Sequence, residues 1–216
     1  MSTEVKLREQ ICLLAKSMFD RGLTGGSTGN ISARTSDGGL LVSPTDTSFG
    51  RLDPGRLSRF DAQGNLIDGD PPTKEMPLHL AFYETRSTAE AVVHIHSCHS
   101  VALSMMPDVD IDNFLPPLTA YGIMKLGKVK LLPFFLPGDP AMGEAVRGLA
   151  GKHTAVMLAN HGPVVAGKNI EAACNAIEEL EDTARLAMMT RGLAPRALSN
   201  AQVQALVTKF NIEWGK

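Results

Sequence analysis

The apolar periodicity of this chain changes at Pro71-Pro72, and that change restricts its architecture more than any other feature. Before the prolines, short stretches alternate with a period of two around glycine turns; after them, helical periods near 3.6 alternate with short apolar runs. Residues 31–34 and 40–43 read as a hairpin around Asp37-Gly38-Gly39, and 58–61 with 65–67 as a second around Gln63-Gly64. Pro71-Pro72 imposes an extended entry to a helix over 77–86, a strand over 91–96, a helix over 97–105 and a strand over 129–132. Asp139-Pro140 supplies an N-cap and an N1 proline for a further helix. Residues 154–159 form an apolar strand, resumed at 164–166, and Asn169 caps a long helix ending near Gly192. A helix over 200–210 closes the chain, and Leu7, Ile11, Leu14, Ala15 and Met18 make 4–21 an amphipathic helix ended by Gly22. The sum is an α/β fold, one domain over 1–216, with helices packed around a central sheet.

Charge excludes several partners. With 21 Lys and Arg against 23 Asp and Glu, and no run of five like charges, nothing favours nucleic acid or an anionic membrane surface. Cys12, Cys98 and Cys174 lack CxxC spacing and fit reduced thiols. The start of the sequence has no apolar leader core and no stretch has transmembrane length, so a soluble, cytoplasmic protein is expected.

The chemistry concentrates in a few short segments. In VVHIHSCHS, strand alternation turns His94 and His96 to one face and Val93 and Ile95 to the other, so two imidazoles can meet one ion; a purely structural strand is the alternative. His99 falls out of this register, on the first turn of the next helix. His161 follows an apolar strand within Asn160-His161-Gly162-Pro163, where it either caps a carbonyl or completes a three-nitrogen set. Three protein ligands with one exchangeable position are the pattern of a catalytic zinc. Glu75, in Thr73-Lys74-Glu75 ahead of a helix, is either a complement to the helix dipole or a metal ligand and proton-transfer group. Gly26-Ser27-Thr28-Gly29-Asn30 has the makings of an anion cradle but is not a P-loop, since no Lys-Ser or Lys-Thr follows. The acidic run Glu171, Glu178, Glu179, Glu181 and Asp182 reads as a solvated helix face balanced by Arg185, and Met105-Met106 and Met188-Met189 as core or interface filler.

In order, the segments GSTGN, PPTKE, VVHIHS and ANHG resemble the class II aldolase and adducin head family, from the first helix through the long helix after Asn169. The resemblance implies a three-layer α/β/α fold with a mostly antiparallel central sheet, and a homotetramer with active sites between subunits. It assigns His94, His96 and His161 to one Zn2+ per subunit, and Glu75 to an acid/base that can also occupy the metal's open position. Ser27, Asn30, Thr45 and Thr73 match segments that hold the substrate phosphate. Lys74 replaces the serine of fuculose-phosphate aldolases, and Leu118 stands about where those aldolases present a tyrosine, with Tyr121 nearby but shifted.

The TKE variant is most similar to the branch described as 3-oxo-tetronate 4-phosphate decarboxylases. That likeness implies zinc-dependent loss of CO2 from a phosphorylated sugar acid through a metal-bound enediolate, giving dihydroxyacetone phosphate. Lys74 then offers a cation to a substrate carrying more negative charge. The alternatives are a class II sugar-phosphate aldolase or a ribulose-phosphate 4-epimerase on the same site, and a non-catalytic adducin-like scaffold. The scaffold predicts lost ligands, whereas the three histidines and Glu75 all stand.

Overall fold

A computed structural model describes residues 3–214. One eight-stranded sheet runs in the order β4-β3-β2-β1-β5-β8-β7-β6. Its strands are β1 (Asn30–Arg34), β2 (Leu40–Val42), β3 (Ser58–Phe60), β4 (Leu66–Asp68), β5 (Ala91–His94), β6 (Lys130–Leu132), β7 (Ala155–Leu158) and β8 (Gly162–Gly167). Every neighbouring pair is antiparallel except β6 with β7. The two expected hairpins form as β1–β2 and β3–β4.

Helices cover both faces, giving three layers. On one side lie α1 (Thr3–Asp20), α3 (Cys98–Ser104), α4 (Ala120–Leu126) and α6 (Ile170–Met189), packed through Ile11, Met18, Leu103, Leu126 and Ile177 onto Ile31, Ala33, Val93 and Val165. On the other lie α2 (Met76–Thr85) and α5 (Ala141–Gly148), packed through Leu78, Phe82, Met142 and Val146 onto Val92, Val156 and Val164. α7 (Asn200–Phe210) packs on α4. Alternation along the inner strands divides the two cores: Val93 and Val165 serve one, Val92 and Val164 the other. Among the described residues, no helix is long and apolar enough to cross a membrane.

Three expectations change in detail. The strand expected over 91–96 leaves the ladder after His94. The acidic face of α6 is not uniformly solvated: Glu181 is buried, and its carboxylate accepts from the backbone N–H groups of His99 and Ser100 and from the His99 ring. It thereby satisfies orphan donors at the start of α3, and Glu178 pairs with Arg21, just past the end of α1. At the start of α5, Pro140 and not Asp139 takes the N-cap position, one residue later than expected, while Asp139 accepts from the N–H of Ala141 at 2.9 Å.

Candidate metal centre and substrate cleft

Register brings the site together. Asn30 of β1 pairs with His94 of β5, which pairs on its other side with Val164 of β8. Asn30, Ser32, Val92 and His94 thus share the sheet face covered by α2, while Ile31 and Val93 fill the opposite core. The β7–β8 turn carries His161, with Asn160 left-handed at φ 58°. Gly162 allows the turn to close on β5, because a Cβ there would lie 2.1 Å from the carbonyl oxygen of Ile95. Gly29 does the same from the other flank: its φ is +86° and an added Cβ would lie 2.8 Å from the carbonyl oxygen of His94.

One nitrogen from each of His94, His96 and His161 falls in a set whose members all lie within 4.8 Å of one another. His94 Nδ1 donates to the carbonyl of Pro163 at 2.8 Å, which leaves its Nε2 lone pair facing the cluster. That Nε2 sits 3.1 Å from His96 Nε2, close to the roughly 3.3 Å spacing of two nitrogens on a tetrahedral zinc. His161 is buried, and neither of its ring nitrogens has a hydrogen-bond partner. A buried imidazole without partners is costly, and a shared cation would satisfy it. Burial, reinforced by neighbouring imidazoles, pushes the pKa of His94 and of His96 down to about 3, and burial, opposed by the Glu75 carboxylate, lowers that of His161. The rings are therefore neutral ligands at physiological pH. These residues fit a divalent metal.

Glu75 stands beside the cluster. It is the residue before α2, yet its side chain makes no capping bond; the carboxylate turns inward, with Oε2 3.4 Å from His94 Nε2 and Oε1 3.4 Å from His161 Nε2. Asn30 Nδ2 donates to Oε2 at 2.7 Å, and the Glu75 N–H is anchored on Thr73 Oγ1. A carboxylate so placed can ligate a metal or exchange a proton with whatever binds there.

A cleft of about 290 Å³ opens over this centre, lined by Ser27, Thr45, Thr73, Lys74, Glu75, His96 and His161 together with Asp46, Thr47, Pro137 and Gly138. The segments singled out in the sequence therefore converge. Asn30 also lines the cleft, and its side-chain amide is engaged at both ends, by Glu75 and by His79 Nε2. His99 stays outside the cluster, held by Glu181. Sequence reasoning missed His79 and the 137–138 wall. The signal for His79 was present, since it follows Glu75 by four residues on the same helix face. A larger cavity of about 470 Å³, between residues 103–118 and 187–197, contains no imidazole.

Comparisons agree with this geometry. The family described as Class II Aldolase and Adducin N-terminal domain matches residues 9–188. The chain is 44% identical over 218 residues, 99% of its length and 100% of the relative's, to a 3-oxo-tetronate 4-phosphate decarboxylase of Cupriavidus necator. It is 29% identical over 209 residues, 95% of its length and 94% of the relative's, to an L-fuculose phosphate aldolase of Escherichia coli K12. Both relatives belong to the carbon–carbon lyases, and this chain is homologous to them. The crystal structure of YgbL from Escherichia coli superposes with a TM-score of 0.92 at 40% identity, covering 95% of this chain and 99% of that one. An eight-stranded, mostly antiparallel sheet, a histidine cluster with its carboxylate, and a family match over most of the length lead to one conclusion: the chain belongs to the class II aldolase and adducin family.

Proposed function

We propose that this protein is a zinc-dependent 3-oxo-tetronate 4-phosphate decarboxylase that releases CO2 and dihydroxyacetone phosphate. The observation that carries the reading is the partnerless, buried His161 closing a three-imidazole set beside Glu75; similarity to decarboxylases over nearly the whole chain supports the substrate. His94, His96 and His161 hold the ion, which as a Lewis acid would lower the energy of charge developing on the substrate's C2 and C3 oxygens.

The chain's own residues do the rest. Thr73, Thr45, Ser27 and Lys74 line the outer cleft, where hydroxyls and an ammonium receive a phosphate and a carboxylate. The C1–C2 bond breaks, its electron pair stays on C2 in conjugation with the C3 carbonyl, and CO2 departs. Glu75, a carboxylate at rest, takes up a proton from solvent and delivers it to C2, so one proton is consumed for each CO2 released. The same centre would serve aldol cleavage, but Lys74 favours a substrate with an additional negative charge over an aldolase substrate.

The working unit is a cytoplasmic homotetramer with its sites between subunits. Exposed Phe134 and Leu136 beside the Pro137-Gly138 wall of the cleft support this, as an apolar rim suited to burial against a neighbouring copy. Three free cysteines agree with a reducing compartment. The deciding experiment offers the zinc-loaded protein four-carbon 3-oxo acid phosphates, fuculose 1-phosphate and ribulose 5-phosphate, and follows CO2 and triose phosphate. CO2 release from the oxo acid supports the reading, and aldehyde release or pentose epimerisation without it replaces the reading.

A further inference from the structure

We infer that His79, outside the cleft, is a positioning residue for Glu75: it fixes the Asn30 amide so that nitrogen, and not oxygen, faces the carboxylate. The inference rests on reading Glu75 as the proton-transfer group. Its basis is a buried chain of hydrogen bonds whose direction is determined at every link.

A carboxylate only accepts, so the Asn30 atom 2.7 Å from Glu75 Oε2 is the amide nitrogen. The amide oxygen therefore faces His79 Nε2, at 2.5 Å, and Nε2 must carry a proton. His79 is fully buried, which keeps the ring neutral with a single proton. Its Nδ1 then accepts from the Ser32 hydroxyl at 2.7 Å, and Ser32 in turn accepts from Tyr83 OH at 2.8 Å. From Tyr83 to Glu75, each donor points toward the carboxylate.

Two periodicities interlock to build this chain. Glu75 and His79 lie one turn apart at the start of α2, and Asn30 and Ser32 lie two residues apart on the β1 face beneath it. A flipped Asn30 would set carbonyl oxygen against carboxylate oxygen and N–H against N–H, both in a buried site. Held as it is, Asn30 keeps the carboxylate among the imidazoles and away from the helix terminus that it precedes.

The test compares His79→Gln, whose amide nitrogen replaces Nε2–H, with His79→Met, which fills the space without a donor. With the zinc-loaded proteins and the oxo acid phosphate, we expect unchanged metal content in both. His79→Met should lower kcat by about 10-fold or more with KM within about threefold, and His79→Gln should recover most of the loss. Parental kcat in His79→Met, or a His79→Gln no better than His79→Met, would overturn the inference. Glu75→Gln assayed alongside separates the failures: full turnover there sinks the proton-transfer reading, whereas slow Glu75→Gln with unimpaired His79→Met sinks only the positioning role. Nitrogen-15 NMR of the zinc-loaded parent gives an answer independent of turnover and of variant folding. A His79 proton on Nε2 is expected, and one on Nδ1 would overturn the chain.

Discussion

His161 Nε2 lies 3.4 Å from Glu75 Oε1, and both nitrogens of that buried ring lack a hydrogen-bond partner. Such a ring is stable in the fold only if something else takes its lone pair. Zinc should therefore raise the unfolding free energy of the protein, read from urea curves, by about 2.7 kcal/mol at a free concentration 100 times the dissociation constant. His161→Ala should lose most of this increment while folding without metal at least as well as the parent. Paired denaturation curves with and without zinc check it, and an undiminished increment in the variant would place the ion elsewhere.

Glu75→Gln keeps the shape of the side chain and removes its charge and its proton. Three imidazoles remain, so zinc content by atomic absorption should stay near the parental level. Turnover should fall by about 10² or more, the usual loss when a general acid is removed. A variant that retains parental kcat would move proton transfer to another group.

Local pattern made parts of this centre legible in advance. The alternation VVHIH places His94 and Val92 on one sheet face because strand side chains alternate, and the asparagine-histidine-glycine run after an apolar strand marks the β7–β8 turn. What local pattern does not encode is pairing between distant segments. β5 lies between β1 and β8, partners about sixty to seventy residues away on either side, and the chain approaches its end closely at Gly29 and Gly162. The same limit hid the partner of Glu181, whose contact with α3 crosses about eighty residues of sequence. His79 is a different case, since its spacing from Glu75 was readable but its apolar surroundings, MPLHLAFY, resembled ordinary core.

Lys74 is exposed at the cleft and close to Gly138, whose added Cβ would touch the lysine Cβ at 3.4 Å. If Lys74 binds a substrate anion, as proposed, the cation would act in the ground state and transition state alike. Lys74→Met should thus raise KM for the oxo acid phosphate by roughly 10-fold, the equivalent of one charge-assisted hydrogen bond, with kcat changed little. Steady-state kinetics decides, and a fall confined to kcat would give Lys74 a chemical role instead.

The buried histidines should make the metal-free protein sensitive to acid. Burial pushes the pKa of His79, His94 and His96 down to about 3, whereas an unfolded imidazole titrates near 6.5. Between those values the unfolded chain binds more protons, so stability rises with pH across the window. The contribution is fully present above about pH 6.5 and is lost as pH falls toward the folded value. Each fully buried ring should contribute on the order of 1 kcal/mol to the difference between pH 7.5 and pH 5. Urea midpoints of the chelator-treated protein at the two values measure the sum, and a flat profile would mean that the rings are not neutral when folded.

Gly162→Ala tests whether the close approach of two strand ends builds the centre. The added methyl would meet the Ile95 carbonyl oxygen at 2.1 Å and the Ile95 carbonyl carbon at 3.2 Å, backbone atoms that cannot swing aside as a side chain does. Either β5 or the β7–β8 turn must shift, and each carries ligands to the imidazole cluster. Two losses should therefore appear together: stability down by about 3 kcal/mol or more, as for severe overpacking, and zinc affinity reduced even at temperatures where the variant is folded. Gly148→Ala provides the comparison, because an added Cβ there meets nothing within 4 Å; it should leave zinc affinity at the parental value. Equal zinc affinity in Gly162→Ala and the parent would show that the turn can relax without moving His161, and that contact with β5 is not what sets the position of the third imidazole.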